Sequence, residues 1–134
     1  MEAERLVGLV ERYVAAWNEP DPQQRSTALT ALYSRNGTVV TQSDEFDGVD
    51  AIIDHIAKVN DEFIASGRYR FQSGGALSHH SCALFRWELV NAQGGALADA
   101  GMNLFLLSSD GRIDVDYQFV LGVNSSIGHL AVAR

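Results

Sequence analysis

The hydrophobic pattern of this chain changes period at Gly67, and that change constrains its fold more than any motif does. Before it, apolar residues recur at helical spacing. Leu6, Val10, Tyr13 and Trp17 fall on one face of a helix over about residues 3–18. Asn18-Glu19-Pro20 ends it, because the residue before proline avoids the α region. Asp21 then Pro22 is an N-cap followed by proline at the first helical position, so a second helix runs from about Pro22 to Tyr33. It buries Leu29, Leu32 and Tyr33. Asn36-Gly37 is a turn, and Thr38–Gln42 reads as a short strand. A third helix follows the Asp47-Gly48 turn, with Ile52, Ile56, Val59 and Phe63 on one stripe and Gly67 as its stop. After Gly67 the period is two. Strands are expected at about 68–76, 79–91, 97–108 and 112–121, with hairpin turns at Gln93-Gly94-Gly95 and Ser109-Asp110-Gly111. Helices first and strands afterwards indicate an α+β fold. A curved sheet over helices leaves a cavity against the first helix, a natural place for a small molecule.

The 134 residues suit a single domain spanning 1–134, with 46% hydrophobic and 20% charged residues. A net charge of −7 argues against nucleic-acid and anionic-membrane partners, which need a basic face. No apolar run approaches a membrane span, and the first residues lack the apolar core of a signal peptide. The lone Cys82 has no partner for an internal disulfide. These features lead to an expected cytoplasmic location. Cys82 itself reads as a buried, small hydrophobe within a strand.

Nucleophile elbows, P-loops and dinucleotide fingerprints are absent from the sequence. His79 and His80 are adjacent on an expected strand and so point to opposite faces. With no third ligand at metal-binding spacing, neither a metal nor a cofactor is expected. One of the pair, His79, could still titrate inside a cavity. His55 and His129 are isolated. Phe85 and Trp87 share a strand face, with Arg86 on the other. Asp99 lies four residues before Asn103 and so on the same face. Asp114, Asp116 and Gln118 share one face of the last strand, opposite Ile113, Val115, Tyr117, Phe119 and Leu121. Period alone leaves open which of these two faces meets the core. Asn36-Gly37-Thr38 and Asn124-Ser125-Ser126 fit the glycosylation pattern, which carries no meaning without secretion.

Five phrases, in order over residues 5–121, carry a resemblance. They are Glu11–Asn18 (ERYVAAWN), Ala31–Val40 (ALYSRNGTVV), Phe46–Ile53 (FDGVDAII), His79–Trp87 (HHSCALFRW) and Gly101–Ile113 (GMNLFLLSSDGRI). The chain resembles the nuclear transport factor 2-like superfamily, and most of all its SnoaL-like proteins. The superfamily includes steroid delta-isomerase, limonene epoxide hydrolase, scytalone dehydratase and SnoaL-type polyketide cyclases. The resemblance implies a cone of three N-terminal helices packed on a curved, mostly antiparallel sheet that encloses a cavity. It places Tyr13 where the isomerase carries its oxyanion-hole tyrosine. Asn103 stands where the isomerase has a protonated aspartic acid, and an amide there can still donate a hydrogen bond. Thr41 stands where the isomerase has its general base, and threonine is no base at neutral pH. Asp44 and Glu45, in the following loop, and Asp99 and Asp116 are carboxylates that could replace it. Asp99, Arg86 and Asp116 supply the residue types of the epoxide hydrolase's Asp–Arg–Asp group without its spacing.

The expected site therefore has Tyr13, Asn103, Asp116, Asp99 and His79 as candidate catalytic groups. Trp17, Thr41, Phe63, Phe85, Trp87 and Gln118 are the candidate ligand-binding residues. Two functions fit: acid–base isomerase, cyclase or hydrolase chemistry on a small apolar carbonyl compound, or ligand binding without catalysis, which Thr41 favours. A homodimer is expected through the outer sheet face, where Val115, Tyr117 and Phe119 form a stripe.

Overall fold

Asp21 and Pro22 set the first corner of the chain. In the computed structural model, which describes residues 2–122, Asp21 Oδ1 accepts a hydrogen bond from Gln23 N at 3.0 Å and Pro22 occupies the first turn of the second helix. The segment after Gly122, including Asn124-Ser125-Ser126 and His129, lies outside the described residues. Helix α1 (Ala3–Asn18) buries Leu6, Val10, Tyr13 and Trp17, the stripe its spacing marks. Its last carbonyls are met from a distance. Asn60 Nδ2 donates to the carbonyls of Trp17 and Glu19 at 2.9 and 3.2 Å.

Helix α2 (Pro22–Leu32) stops one residue before the expected end. Tyr33 is extended, fully buried, and opens strand β1 (Tyr33–Val40). A short strand β2 (Glu45–Asp47), unmarked in the sequence pattern, pairs back on β1. Helix α3 (Val49–Val59) runs into a π-helical turn over Asn60–Ile64, so the expected third helix is not regular to its end. Gly67, at φ +77°, follows.

Strands β3 (Tyr69–His79), β4 (Cys82–Asn91), β5 (Leu97–Leu107) and β6 (Ile113–Val120) complete a six-stranded sheet of order β2-β1-β6-β5-β4-β3. All neighbours are antiparallel except β1 and β6, which are parallel, and the sheet is not closed. Asn18 joins α1 to β3 by imitating a strand partner. Its Nδ2 donates to the Phe71 carbonyl and its Oδ1 accepts from Phe71 N, both at 2.8 Å.

Three local expectations are corrected. First, Asp114 and Asp116 do not share a face. Leu106 pairs with Val115 but Leu107 with Ile113, so Asp114 is an extra residue in a β-bulge. The bulge turns both Ile113 and Asp116 inward, fully buried, and leaves Asp114 exposed. Second, His79 ends β3 instead of beginning the next strand. His80 sits in the turn at φ 52°, and the two exposed imidazoles place their Nδ1 atoms 3.2 Å apart. Third, Cys82 opens β4 and is partly exposed, with Sγ 3.4 Å from the His79 carbonyl oxygen.

The helices cover one sheet face, where Tyr13, Phe85 and Phe105 pack ring against ring. On the outer face the pairings line up Leu84 with Leu104 and Tyr117, Leu106 with Val115, and Met102 with Phe119. Leu84, Leu106, Tyr117 and Phe119 are exposed there. No helix among the described residues is long and apolar enough to cross a membrane.

Candidate ligand cavity

A cavity of about 250 Å³ opens between α1, α3 and the inner face of the sheet. Its wall is largely aromatic. Trp17 comes from α1, Phe63 from the π turn, Phe71 from β3, and Phe85 and Trp87 from β4. Trp17, Phe71 and Trp87 meet edge to face, at ring separations of 5.7 and 5.8 Å. Tyr13, Thr41, His55, Asp99, Asn103 and Gln118 supply the polar groups of the wall.

One hydrogen-bonded chain orders most of those groups. Trp87 Nε1 donates to Asn103 Oδ1 at 3.1 Å. An indole nitrogen can only donate, so it fixes the amide oxygen toward Trp87 and the amide nitrogen toward Tyr13. Asn103 Nδ2 donates to the Tyr13 hydroxyl at 2.8 Å, and that hydroxyl donates to Asp116 Oδ2 at 2.8 Å. The Tyr33 hydroxyl donates to the same oxygen at 2.7 Å. Gln118 Nε2 lies 3.1 Å from both Tyr13 Oη and Asp116 Oδ2. A carboxylate only accepts, which fixes the Gln118 amide as well.

Asp116 is fully buried and lies outside the cavity wall, behind Tyr13. Its Oδ1 is buried without a partner. Burial pushes its carboxyl up to about 6, against the opposing hydrogen bonds from Tyr33, Tyr13 and Gln118. The phenols of Tyr13 and Tyr33 are held well above their usual value, first by burial and then by the Asp116 charge. On the opposite wall, His55 stacks on Phe46 at 4.0 Å and meets Trp17 edge-on. Burial lowers its pKa, the Asp44 charge opposes this and Lys58 adds to it, which favours the neutral imidazole.

Tyr13, Asn103 and Asp116 thus converge in one cluster with Gln118. Asp99 lies in the same wall, further along β5, its Oδ1 accepting from Ala100 N at 2.8 Å. Trp17, Phe63, Phe85 and Trp87 line the cavity too. Thr41 also lines it, but its hydroxyl is committed to its own turn, where it accepts from Asp44 N at 3.0 Å. His79 is not brought to the site, because it lies at the exposed β3–β4 turn. The Asp99–Arg86–Asp116 grouping does not form: Arg86 pairs with Glu88 at 3.1 Å on the far side of the sheet. Among the described residues, no group of three or more His, Cys, Asp or Glu could hold a metal ion.

Sequence reasoning missed Tyr33, His55 and Phe71. Tyr33 stands inside the Ala31–Val40 phrase, which is the one signal that could have marked it. His55 sits beside Ile56 on the buried edge of α3, one helical turn before Val59.

The arrangement can accept a small apolar body and present one N–H of Asn103 to an oxygen on it, since Gln118 Nε2 already serves Tyr13 and Asp116. The fold and this cavity define a class of α+β proteins built around an internal pocket. No family model and no curated protein matches the chain. Solved structures do. A protein of the SnoaL-like family from Agrobacterium tumefaciens, described as a candidate isomerase, is 26% identical with a TM-score of 0.79. The match covers 89% of this chain and 99% of that one. A SnoaL-like protein of unknown function from Burkholderia thailandensis is 11% identical with a TM-score of 0.71, over 91% and 99% of the two chains. A candidate SnoaL-like polyketide cyclase from Jannaschia is 16% identical with a TM-score of 0.71, over 97% and 90%. The chain shares the fold of the nuclear transport factor 2-like superfamily, and many of its structural neighbours are SnoaL-like.

Proposed function

We propose that the protein binds a small, mostly apolar, carbonyl-bearing molecule in this cavity and can move a proton on it, as an isomerase or cyclase does. The observation that carries this is the chain Trp87–Asn103–Tyr13–Asp116, whose first three members are set into a mostly apolar wall. Pockets that orient a ligand combine apolar walls with a few fixed polar groups in this way. About 250 Å³ suits a one-ring molecule. Asn103, with one N–H already on Tyr13, directs its other N–H to the carbonyl oxygen. A proton carrier must touch the ligand. The imidazole of His55 and the carboxyl group of Asp99 are in the wall and can do so, whereas Asp116 acts through Tyr13.

Binding without turnover is the second reading, favoured by the commitment of the Thr41 hydroxyl to its own turn. Acetophenone in D₂O separates the two. Saturable quenching of Trp17 and Trp87 emission reads binding, and deuterium entry into the methyl group reads proton transfer. Quenching with exchange supports the acid–base enzyme, and quenching alone supports the binder. Absence of quenching by any one-ring ketone contradicts both.

We also propose that two copies pair through the outer sheet face. A second copy offers the same Leu84, Leu106, Tyr117 and Phe119 stripe, and a two-fold axis makes such a surface self-complementary.

A further inference from the structure

We propose that the cavity takes up a proton together with its ligand: Asp116 gains the proton, and Tyr13 is released to donate its hydroxyl hydrogen to the ligand's carbonyl oxygen. This rests on the carbonyl-binding role proposed above and adds the state in which that role is performed.

Hydrogen-bonding capacity limits what Tyr13 can offer a ligand. A tyrosine hydroxyl has one hydrogen and can accept about two hydrogen bonds. In Tyr13 the hydrogen goes to Asp116 Oδ2, and Asn103 Nδ2 and Gln118 Nε2 both donate to the oxygen. With Asp116 ionised, Tyr13 lines the cavity but has nothing left to offer a ligand.

Asp116 shows where a proton can go. Tyr13, Tyr33 and Gln118 all aim at Oδ2, while Oδ1 is buried and meets no donor. A proton from solvent bound at Oδ1 therefore displaces nothing. It removes the negative charge that holds the Tyr13 hydrogen, and a charge-assisted bond is roughly twice as strong as a neutral one. The Tyr13 O–H can then leave Oδ2 for a carbonyl oxygen beside Asn103. One proton is gained from solvent, one hydrogen bond is exchanged for another, and no covalent bond of the ligand breaks. The groups facing Asp116 are Tyr13 from α1, Tyr33 from β1 and Gln118 from β6 itself, with Asn103 of β5 reached through Tyr13. No cationic side chain among the described residues pairs with it. Its carboxyl, near 6, titrates within reach of neutral pH.

The test compares acetophenone with ethylbenzene, which has the same shape but no oxygen, by tryptophan quenching from pH 5 to pH 8. Between pH 6 and pH 8 the acetophenone dissociation constant is expected to rise about tenfold or more, while that of ethylbenzene changes less than about twofold. Asp116→Asn flattens the acetophenone profile. His55→Gln and Asp99→Asn each retain the pH slope, which excludes His55 and Asp99 of the wall as its source. Calorimetry of the wild type in two buffers of different ionisation heat needs no variant. It is expected to show uptake approaching one proton per acetophenone at pH 7 and none for ethylbenzene. Parallel profiles for the two compounds, or no proton uptake, overturn the inference and leave the binding role standing. Failure of both compounds to bind at any pH overturns the binding role, and the inference with it.

Discussion

The indole of Trp87 lies across Gly101, in the space where any other residue would place its Cβ. An added Cβ would sit inside contact distance of indole atoms Cζ2 and Cε2, and of the Phe119 carbonyl oxygen. The two residues are paired across β4 and β5, two positions along from Phe85 and Asn103. The missing side chain of Gly101 thus lets the indole lie along the sheet and reach Asn103 Oδ1.

Gly101→Ala should therefore act on the polar cluster from a distance. The methyl group displaces the indole and breaks the Trp87–Asn103 hydrogen bond. Overpacking of this kind costs about 1–3 kcal/mol. Urea unfolding is expected to show that loss, with a red shift of Trp emission as the indole leaves its pocket. Wild-type stability and emission in the variant would contradict the packing described.

Asp116 should make stability fall with pH over a window where carboxylates usually make it rise. Its folded value is raised from 3.8 to about 6, so the folded state holds the proton more tightly than the unfolded chain. Its contribution is complete below about pH 4 and is lost as pH rises through about 6, amounting to about 3 kcal/mol. Asp116→Asn carries no such titration. The difference in unfolding free energy between variant and wild type should thus move in the variant's favour from pH 4 to pH 7. A constant difference would place Asp116 at an ordinary carboxylate value.

Tyr33→Phe removes one of the three donors on Asp116 Oδ2. That bond lowers the Asp116 pKa, so its loss should raise the value further, seen as a shift of the carboxyl ¹³C titration to higher pH. The lost hydrogen bond should cost about 1–3 kcal/mol at neutral pH, where its acceptor is charged. An unmoved titration would mean that Tyr33 bonds elsewhere.

Phe119→Lys should interrupt the outer apolar stripe without touching the cavity, since Phe119 is half exposed on the opposite face. Sedimentation is expected to give a dimer for the wild type and a monomer for the variant. A wild-type monomer at micromolar concentration would contradict pairing through this face.

The fold was legible where local chemistry decides it. The Leu6–Trp17 stripe, the Asp21-Pro22 cap and the change of period at Gly67 are properties of neighbouring residues, and the structure uses each of them. Misplaced features depend on partners distant in sequence. The bulge at Asp114 exists only in the pairing of β6 with β5 and β1, so alternation along β6 could not reveal that Asp116 and Ile113 both turn inward. Tyr33 reads as the last residue of the second helix until pairing with Ile113 extends it. Tyr13, Asn103 and Gln118 were recognisable from the family phrase and strand alternation. His55 was not, because nothing in its own helix marks the aromatic wall formed by Phe46 and Trp17.

Every role proposed for the cavity turns on one contact, the grip of the polar cluster on a carbonyl oxygen. The infrared stretch of [¹³C=O]acetophenone bound to the protein at pH 5 reads that oxygen directly. Hydrogen bonds from Asn103 and Tyr13 should shift the band to lower frequency than in hexane, and Asn103→Leu should move it back. A bound ketone whose carbonyl absorbs as it does in hexane would show that the cavity holds the ring and leaves the oxygen unread, contradicting the account.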